Sequence, residues 1–296
     1  AGARRGGSGG RAPAVCHDMS SEPREAGAPA TLRQAAIEAL MAADLDEKVE
    51  RTNLACRLWF GRRLGLHAPH DPALPDRPGR PAEPVLVSPR TVKRRSVHTE
   101  TGRIALIHAL AHIELNAIDL ALDIVARFAS ERVPRSFFDG WMTVALEEAK
   151  HFRLLSRRLE SLGSHYGALP AHDGLWQAVE ATAHDLGARL AVVPLILEAR
   201  GLDVTPSLLE KLLEVGDADT AAILEIIYRD EKKHVAIGAK WFRFLCAREG
   251  RNPAQRFQEL VRASFRGDVK APFNDRARAE AGLTPTFYRS LSPLSS

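Results

Sequence analysis

The feature that most constrains this chain is a repeated motif in which a glutamate precedes a histidine by three residues. It occurs at Glu148 and His151 and again at Glu231 and His234, and nowhere else in the 296 residues. On a helix, residues at this spacing lie about 60° apart around the axis and about 4.5 Å apart along it. One carboxylate and one imidazole can therefore reach the same metal ion.

Two further glutamates complete a set of metal ligands. In four-helix bundles that bind two metal ions, two helices each supply a Glu-x-x-His motif and the other two each supply a single Glu. Glu114 interrupts the apolar face formed by residues 107–125, and Glu198 follows the apolar run 190–197. Glu198 lies 84 residues after Glu114, and the second motif lies 83 residues after the first. The chain therefore resolves into two helical hairpins of matching length.

These residues predict a site for two metal ions. A carboxylate among core positions is costly unless it is paired or bound to a cation. Buried salt bridges would explain any one of the residues, but not six of them in matched order. Carboxylate-rich ligation with two imidazoles suits iron or manganese better than zinc. We expect two iron ions, with an iron–manganese or a manganese centre as the alternative, bound by Glu114, Glu148, His151, Glu198, Glu231 and His234.

Tyr228 is the predicted catalytic residue. It lies one helical turn before Glu231, where its hydroxyl could bond a ligand carboxylate or be oxidised at the metal centre. The alternative is a core tyrosine whose hydroxyl is bonded elsewhere.

Four other polar residues flank the predicted ligands. Glu147 and Asp230 each precede a ligand glutamate and turn about 100° away from it, so they are either partners of the ligands or solvated charges. His108 and His112 lie about 200–240° from Glu114 around the same helix and are not expected to bind the metal.

The composition favours helices in one main domain. The chain is 45% apolar, 26% charged and only 6% aromatic. Its length suffices for a full-sized core, and its commonest residues are good helix formers. The cysteines at positions 16, 56 and 246 form no Cys-x-x-Cys pair, so neither a disulfide framework nor a thiolate zinc site is indicated. With no membrane-spanning or secretory segment apparent, we expect a soluble, cytoplasmic protein.

The chain divides into five segments, and the expected fold class is all-α. Residues 1–30, rich in Gly, Ala, Arg and Pro, are expected to be disordered. A helical extension at 31–66 precedes a Pro-rich extended connection at 67–98. The four-helix bundle is expected over 99–249, followed by a C-terminal helix and tail over 250–296.

The apolar periodicity predicts four bundle helices, at about 99–132, 134–162, 173–200 and 217–248. Asp173 is suited to cap the third helix and Gly201 to end it. Pro194 lies inside that helix, so we expect a kink or a local bulge there.

Three stretches carry a resemblance to known proteins: residues 112–120 (HIELNAIDL), 147–152 (EEAKHF) and 230–242 (DEKKHVAIGAKWF). With Ala-Pro-Phe-Asn at 271–274, the similarity spans most of residues 90–285. In these stretches the chain resembles the ferritin-like superfamily, and within it an uncharacterised bacterial family. The resemblance implies a ferritin-like four-helix bundle, here with an N-terminal helical extension and a C-terminal tail, and a di-iron carboxylate site. A more distant similarity is to the di-iron tRNA hydroxylases.

Three functions are compatible with such a site. The first is an oxygen-dependent oxidoreductase, of hydroxylase or oxidase type, acting on an unknown small-molecule substrate with an unknown electron donor. The second is a ferroxidase or iron-handling protein, and the third is a scaffold or binding protein with a structural di-metal site. The enzyme is favoured because this chain adds about 100 residues before the bundle and about 45 after it, and an iron store needs little beyond the bundle.

The charge distribution bears on the partners. The formal net charge is +4, and residues 243–296 carry ten Lys and Arg against five Asp and Glu. Residues 76–103 carry seven against three. Such patches suit an anionic substrate or a nucleic acid such as tRNA, although solvated basic surface is the commoner explanation. No membrane partner is expected, and a homodimer is left open.

Overall fold

The computed structural model describes residue 2 and residues 29–88 and 96–292. In that part of the chain all regular structure is helical, apart from isolated bridges that pair Thr31 with Gly65 and Leu86 with Ala171. The prediction of an all-α fold is confirmed. The predicted disordered segment 1–30 lies outside the described residues, except for residues 2, 29 and 30.

The helices in chain order are α1 (Leu32–Met41), α2 (Leu45–Phe60), α3 (Glu100–Arg127), α4 (Arg135–Ser161), α5 (Gly174–Ala181), α6 (Leu186–Val192), a π-helical segment (Val193–Glu198), α7 (Ala199–Glu214), α8 (Ala218–Arg248), α9 (Pro253–Ser264), α10 (Asp275–Glu280) and α11 (Pro285–Tyr288). A short 3-10 turn, Arg289–Leu291, follows. The bundle consists of α3, α4, α8 and the continuous unit made of α6, the π segment and α7. Within it, α3 packs along α4, α4 contacts α8, and α8 packs on the continuous unit.

Side-chain caps set where the bundle helices begin. Thr99 accepts a hydrogen bond from the backbone of Gly102 at the start of α3, and Asp217 accepts one from Thr220 at the start of α8. The start of α8 agrees with the prediction. The end of α3 does not, because the chain leaves the helix at Phe128 rather than near residue 132.

The predicted third helix, 173–200, is wrong in three respects. It is interrupted after α5, because Asp185 starts a new helix by accepting a hydrogen bond from the backbone of Ala188. Asp173 stands at the start of α5 without capping it, since its carboxylate pairs with Arg77 instead. Gly201 lies inside α7, which continues to Glu214.

The bulge predicted at Pro194 is confirmed as the π segment. A proline has no backbone N–H to donate to the preceding turn, so a wider turn removes the clash with the helix. The Pro194 ring packs on Gly238 of α8, where an added Cβ would lie only 2.5 Å from the Cβ of Pro194. Only glycine leaves room for this approach of the two helices. The segment ends at Glu198.

The Pro-rich segment runs without helix along the outside of the bundle over its described residues, 67–88. The backbone of Gly79 donates a hydrogen bond of 3.0 Å to Leu40 at the end of α1. A Cβ at position 79 would lie 2.1 Å from the Met41 carbonyl oxygen, so the contact requires glycine. Further along, Val87 donates to Ala171, which fastens the segment beside the loop before α5.

The C-terminal tail packs on α7 and α8. Arg278 of α10 forms a buried ion pair with Asp203 of α7, and Asn274 accepts a hydrogen bond that starts α10. Arg243 of α8 donates to the carbonyl oxygen of Gly282. The position of this tail could not be predicted from the sequence, because its contacts are with residues far away in the chain.

Helix α3 is long and apolar enough to cross a membrane by length and composition alone, with a mean hydropathy of 1.4. No helix with the length and apolarity of a membrane span was expected from the sequence. In the structure, 67% of its most apolar window is buried against other parts of the protein. This degree of burial is typical of a helix at the centre of a bundle.

Two ion pairs are fully buried in and around α3. Asp123 pairs with Arg189 of α6. Asp119 pairs with Lys48 of α2 at 2.7 Å and with Arg80 of the Pro-rich segment at 2.6 Å. Burial lowers the pKa of Lys48, and the charge of Asp119 opposes this.

The Asp119 contacts predict unequal effects of two substitutions. Asp119→Asn leaves the buried Lys48 without a negatively charged partner, and we expect it to lower the free energy of unfolding by about 3–5 kcal/mol. Lys48→Met should cost less, because Asp119 keeps Arg80. Denaturant unfolding of both variants measures the difference. Equal losses, or a larger loss for Lys48→Met, would contradict this account.

Candidate metal centre

Helices of the bundle bring the predicted ligands together at its centre. Glu114 comes from α3, Glu148 and His151 from α4, and Glu231 and His234 from α8. Ligand atoms of Glu114, Glu148, His151 and Glu231 all lie within 4.8 Å of one another. This buried group of glutamate and histidine side chains could hold a metal ion.

Glu148 lies between the two imidazoles. One of its carboxylate oxygens is 3.3 Å from Nδ1 of His151, and the other is 2.9 Å from Nδ1 of His234. The same two ring nitrogens approach the neighbouring glutamates, Glu114 at 3.3 Å and Glu231 at 3.5 Å. Both imidazoles therefore direct Nδ1 into one cluster of carboxylates. Glu148, His151 and His234 are completely buried.

Glu198 adjoins this cluster from the end of the π segment. Burial raises the pKa of its carboxyl group well above the usual value, and the charges of Glu231 and Glu148 raise it further. It is not one of the four residues whose ligand atoms lie within 4.8 Å of one another. Its position at the end of a π turn comes from the bulge at Pro194, which sequence reasoning anticipated.

The outer nitrogen of each imidazole is bonded to a carboxylate from the other of the two helices α4 and α8. Nε2 of His151 on α4 bonds Asp230 of α8 at 3.2 Å, and Nε2 of His234 on α8 bonds Glu147 of α4 at 2.8 Å. The sequence left Glu147 and Asp230 open as partners of the ligands or as solvated charges, and the structure shows that they are partners. A carboxylate on the outer nitrogen fixes the ring orientation and leaves the inner nitrogen free for a metal.

Two lysines, to which the sequence assigned no role at the site, complete this outer layer. Lys150 pairs with Asp230 at 2.5 Å, and Lys233 bonds Asp230 at 2.8 Å and Glu147 at 3.3 Å. Burial raises the pKa of Asp230, but hydrogen bonds from both lysines and from His151 outweigh burial and hold the pKa below its usual range. A signal was available, since each lysine directly precedes the histidine of its motif.

The inner carboxyl groups have divergent proton affinities. Burial raises the pKa of Glu114 and Glu231, and the negative charge of Glu148 raises both further. Burial also raises the pKa of Glu148, but His234 and hydrogen bonds from Glu114 and His151 outweigh it and hold this pKa below its usual range. Glu148 therefore gives up its proton more readily than Glu114 and Glu231 do.

The imidazoles respond in the opposite sense. Burial lowers the pKa of His151, but contacts with Glu114 and Glu148 prevail and raise it to about 10. His234 is raised well above its ordinary pKa by the charge of Glu148 and by hydrogen bonds, again against the effect of burial. In the metal-free state, the cluster therefore balances its charge with protons.

Several buried polar atoms of the cluster have no hydrogen-bond partner among the residues that the structure describes. The 2.9 Å approach of His234 to Glu148 lacks hydrogen-bond geometry, so both atoms remain unpaired. Buried polar groups are otherwise almost always bonded. The unpaired atoms are oxygens and a nitrogen of the kind that binds iron or manganese, so the residues fit a metal. They are Glu148 Oε1, Glu198 Oε2, Glu231 Oε2 and His234 Nδ1.

Tyr228 has its hydroxyl bonded outside the cluster. It accepts a hydrogen bond of 3.2 Å from Asn274 in the C-terminal tail, and the ammonium group of Lys232 lies 4.8 Å from its ring centroid. This is the alternative considered from the sequence. A catalytic role for Tyr228 stays a prediction.

His108 and His112 face away from the cluster. Nε2 of His108 accepts a hydrogen bond from Gly167, while His112 bonds the hydroxyl of Tyr166 and the carbonyl oxygen of His172. Both histidines hold the loop before α5.

The two carboxylates that bond the outer imidazole nitrogens, Asp230 and Glu147, give a prediction. Asp230→Asn and Glu147→Gln should each weaken metal binding about 10- to 100-fold, because the imidazole loses its orienting acceptor. Titration of metal-free protein with Fe(II) or Mn(II) measures this. Glu160→Gln, at an exposed position on α4, is the control and should bind as the wild type does. Wild-type affinity in both outer variants would contradict the role assigned to these carboxylates.

Comparison with known proteins places the chain in a family. A family described as "Protein of unknown function (DUF455)" matches residues 41–289. An "Uncharacterized protein" of Haemophilus influenzae is 44% identical over 209 residues, which cover 69% of this chain and 73% of that protein. No solved structure matches.

The family match agrees with the expected membership of an uncharacterised family. It begins well before residue 90, where the resemblance noted from the sequence starts. The Pro-rich segment and the tail as far as residue 289 are thus parts of the family pattern, as is the bundle. This chain belongs to the DUF455 family of proteins of unknown function.

Proposed function

We propose that this protein is a ferritin-like, di-iron, oxygen-dependent oxidoreductase of hydroxylase or oxidase type. The observation that carries the proposal is the set of buried, unpaired ligand atoms where α3, α4, α8 and the π segment converge. Four glutamates and two histidines match the ligand set of di-metal four-helix bundles.

Each ligand has a role that its position supports. Glu148, which lies between the two imidazoles, and Glu231 would both be ligands of the metal ions. Glu114 and Glu198 each reach the cluster from a different helical unit, and His151 and His234 would complete the two coordination sets. The bound iron would supply oxygen binding and redox chemistry.

The chain's own residues orient the ligands. Asp230 and Glu147 accept hydrogen bonds from Nε2–H of the two imidazoles, so each Nδ1 would be available to a metal ion once its proton is displaced. Lys150 and Lys233 compensate the charge of these outer carboxylates. The ligands are thereby held before a metal arrives, which lowers the cost of binding it.

The surroundings of the cluster support an enzyme over an iron store. The proposed ligands from α3, α4 and α8 are buried, and the C-terminal tail packs on α7 and on Tyr228 of α8. Excluding water protects reactive species from side reactions. The third candidate, a structural metal, would bind without consuming oxygen.

The proposed partners are a small-molecule substrate, an external electron donor and oxygen, in a cytoplasmic protein that could form a homodimer. A nucleic acid such as tRNA is the weaker proposal. Several arginines of the basic tail are used inside the chain, because Arg278 pairs with Asp203, Arg289 with Asp275 and Arg251 with Glu259. They are less available to phosphates than their number suggests.

Iron loading tests the proposal. Metal-free protein titrated with Fe(II) in air should take up about two irons per chain, because the ligand set suffices for two ions. The measurements are bound iron and oxygen consumed. Glu148→Gln should fall below this stoichiometry, whereas His184→Gln, at an exposed site, should match the wild type. Continued mineral growth would establish an iron store instead, and no uptake would exclude a di-iron centre.

Metal affinity should rise with pH. Metal binding is expected to displace protons, because the pKa values of Glu114 and Glu231 are raised. The pKa of His151 is also raised, to about 10. Acid therefore competes with the metal, and the affinity should increase as the pH rises toward that value. Calorimetry in two buffers of different ionisation enthalpy counts the released protons. Binding without proton release would contradict the assigned proton affinities.

A further inference from the structure

A cavity lies between the Pro-rich segment and α3. Its volume is about 290 Å³, close to the lower limit for small-molecule sites. The Pro-rich segment supplies a largely apolar wall that includes Pro78, Pro81 and Val85. The polar side chains lining it include Arg80, His112, Asn116 and Tyr166.

This cavity is separate from the metal centre. His112 and Asn116 each lie about 160° from Glu114 around the axis of α3, one on either side of it in sequence. The cavity and the cluster thus occupy opposite faces of one helix. A ligand here would not touch the metal ligands on the other face.

Arg80 has one nitrogen bonded and one spare. Its Nη2 donates to Asp119 at 2.6 Å and to Asn116 at 2.8 Å. Its Nη1 is buried and makes no hydrogen bond with any described residue. Because Lys48 also pairs with Asp119, two cations share one buried carboxylate. An anion beside Arg80 would balance the excess positive charge.

The other polar groups of the cavity are already bonded. The Tyr166 hydroxyl donates to Nδ1 of His112 at 2.8 Å, and Nε2 of His112 donates to the carbonyl oxygen of His172 at 2.9 Å. Asn116 donates to the carbonyl oxygen of His112 at 2.7 Å. Burial lowers the pKa of His112 to about 4, so the imidazole is neutral.

The remaining cation of the cavity is also engaged. Arg77 pairs with Asp173 and Glu180. The guanidinium group of Arg80 lies near the Tyr166 hydroxyl as well, and it partly opposes the rise that burial causes in the tyrosine pKa. The spare N–H groups of Arg80 are therefore the cavity's unused charged donor among the described residues.

We propose that this cavity binds a small organic monocarboxylate with an apolar body. Arginine N–H groups bond carboxylates strongly, and a single spare nitrogen suits one carboxylate better than a phosphate, which needs more donors. The proline-lined wall suits the apolar part of the ligand. This site is independent of the proposed oxidoreductase activity.

Sodium benzoate is the probe, with benzyl alcohol as its neutral counterpart and inorganic phosphate as an anion without an apolar body. Ligand-observed NMR and calorimetry measure binding to the full chain, with and without bound iron. Benzoate should bind at least tenfold more tightly than either of the other compounds, and iron should not alter its affinity. Equal binding of benzyl alcohol, or tighter binding of phosphate, would overturn the assignment.

Two variants locate the site. Arg80→Gln should weaken benzoate binding by about tenfold or more, the loss expected for a hydrogen bond to a charged group. Arg51→Gln, on the outer face of α2, is the matched control and should bind as the wild type does. Benzoate that still binds to Arg80→Gln but is lost on iron removal would show binding at the metal and overturn the proposal.

A second pair of variants does not alter the buried ion pairs. Val85 lines the cavity and is 64% exposed, so a polar residue there should leave folding intact. Val85→Glu should weaken benzoate binding by charge repulsion, whereas Val85→Gln, of nearly the same size, should weaken it less. Benzyl alcohol should not distinguish the two variants. Identical benzoate affinities in both would overturn the proposed site.

Discussion

The burial of negative charge is the constraint on which the rest of this structure depends. Three buried aspartates of the bundle each meet a cation from another segment: Asp119 with Lys48, Asp123 with Arg189, and Asp203 with Arg278. These pairs join α2 and the tail to the bundle, and α6 to α3 within it. Breaking a buried pair is costly, so other arrangements of these segments are disfavoured. Among the described residues, the ion-pair partners of the central glutamates are histidines alone.

The two motifs depend on each other. Each supplies the outer carboxylate for the other's imidazole, and Lys233 reaches across from α8 to Glu147 on α4. A slip of α8 along α4 by one turn would separate both imidazole–carboxylate pairs together. The alignment of α4 and α8 therefore also determines the orientation of the candidate ligands.

The features of the site that could be predicted from the sequence are those that depend on the spacing of residues close together in the chain. Glu148 and His151 converge because three residues on a helix make them converge, whatever surrounds them. Glu114 and Glu198 were identified because carboxylates are out of place in apolar runs. Pro194 revealed the bulge because a proline inside a helix cannot donate to the preceding turn.

What sequence could not predict depends on which helices become neighbours. The bond between Asp230 and His151 joins residues on different helices and requires the packing of α4 on α8. The break at Asp185 could not be anticipated, because residues 173–200 have helical periodicity on both sides of it. Arg80 lies in a proline-rich stretch without periodicity, and its contact with Asp119 comes only from tertiary structure.

The π segment coincides with a small irregularity in the repeat. The two Glu-x-x-His motifs are 83 residues apart, whereas the lone glutamates are 84 apart. A π bulge takes up one residue more than an α-helical turn, and it stands directly before Glu198. Without it, the extra residue would rotate Glu198 by about 100° around the helix axis, away from the cluster. The wide turn thus works as a phase correction that keeps two unequal halves of the chain facing one centre.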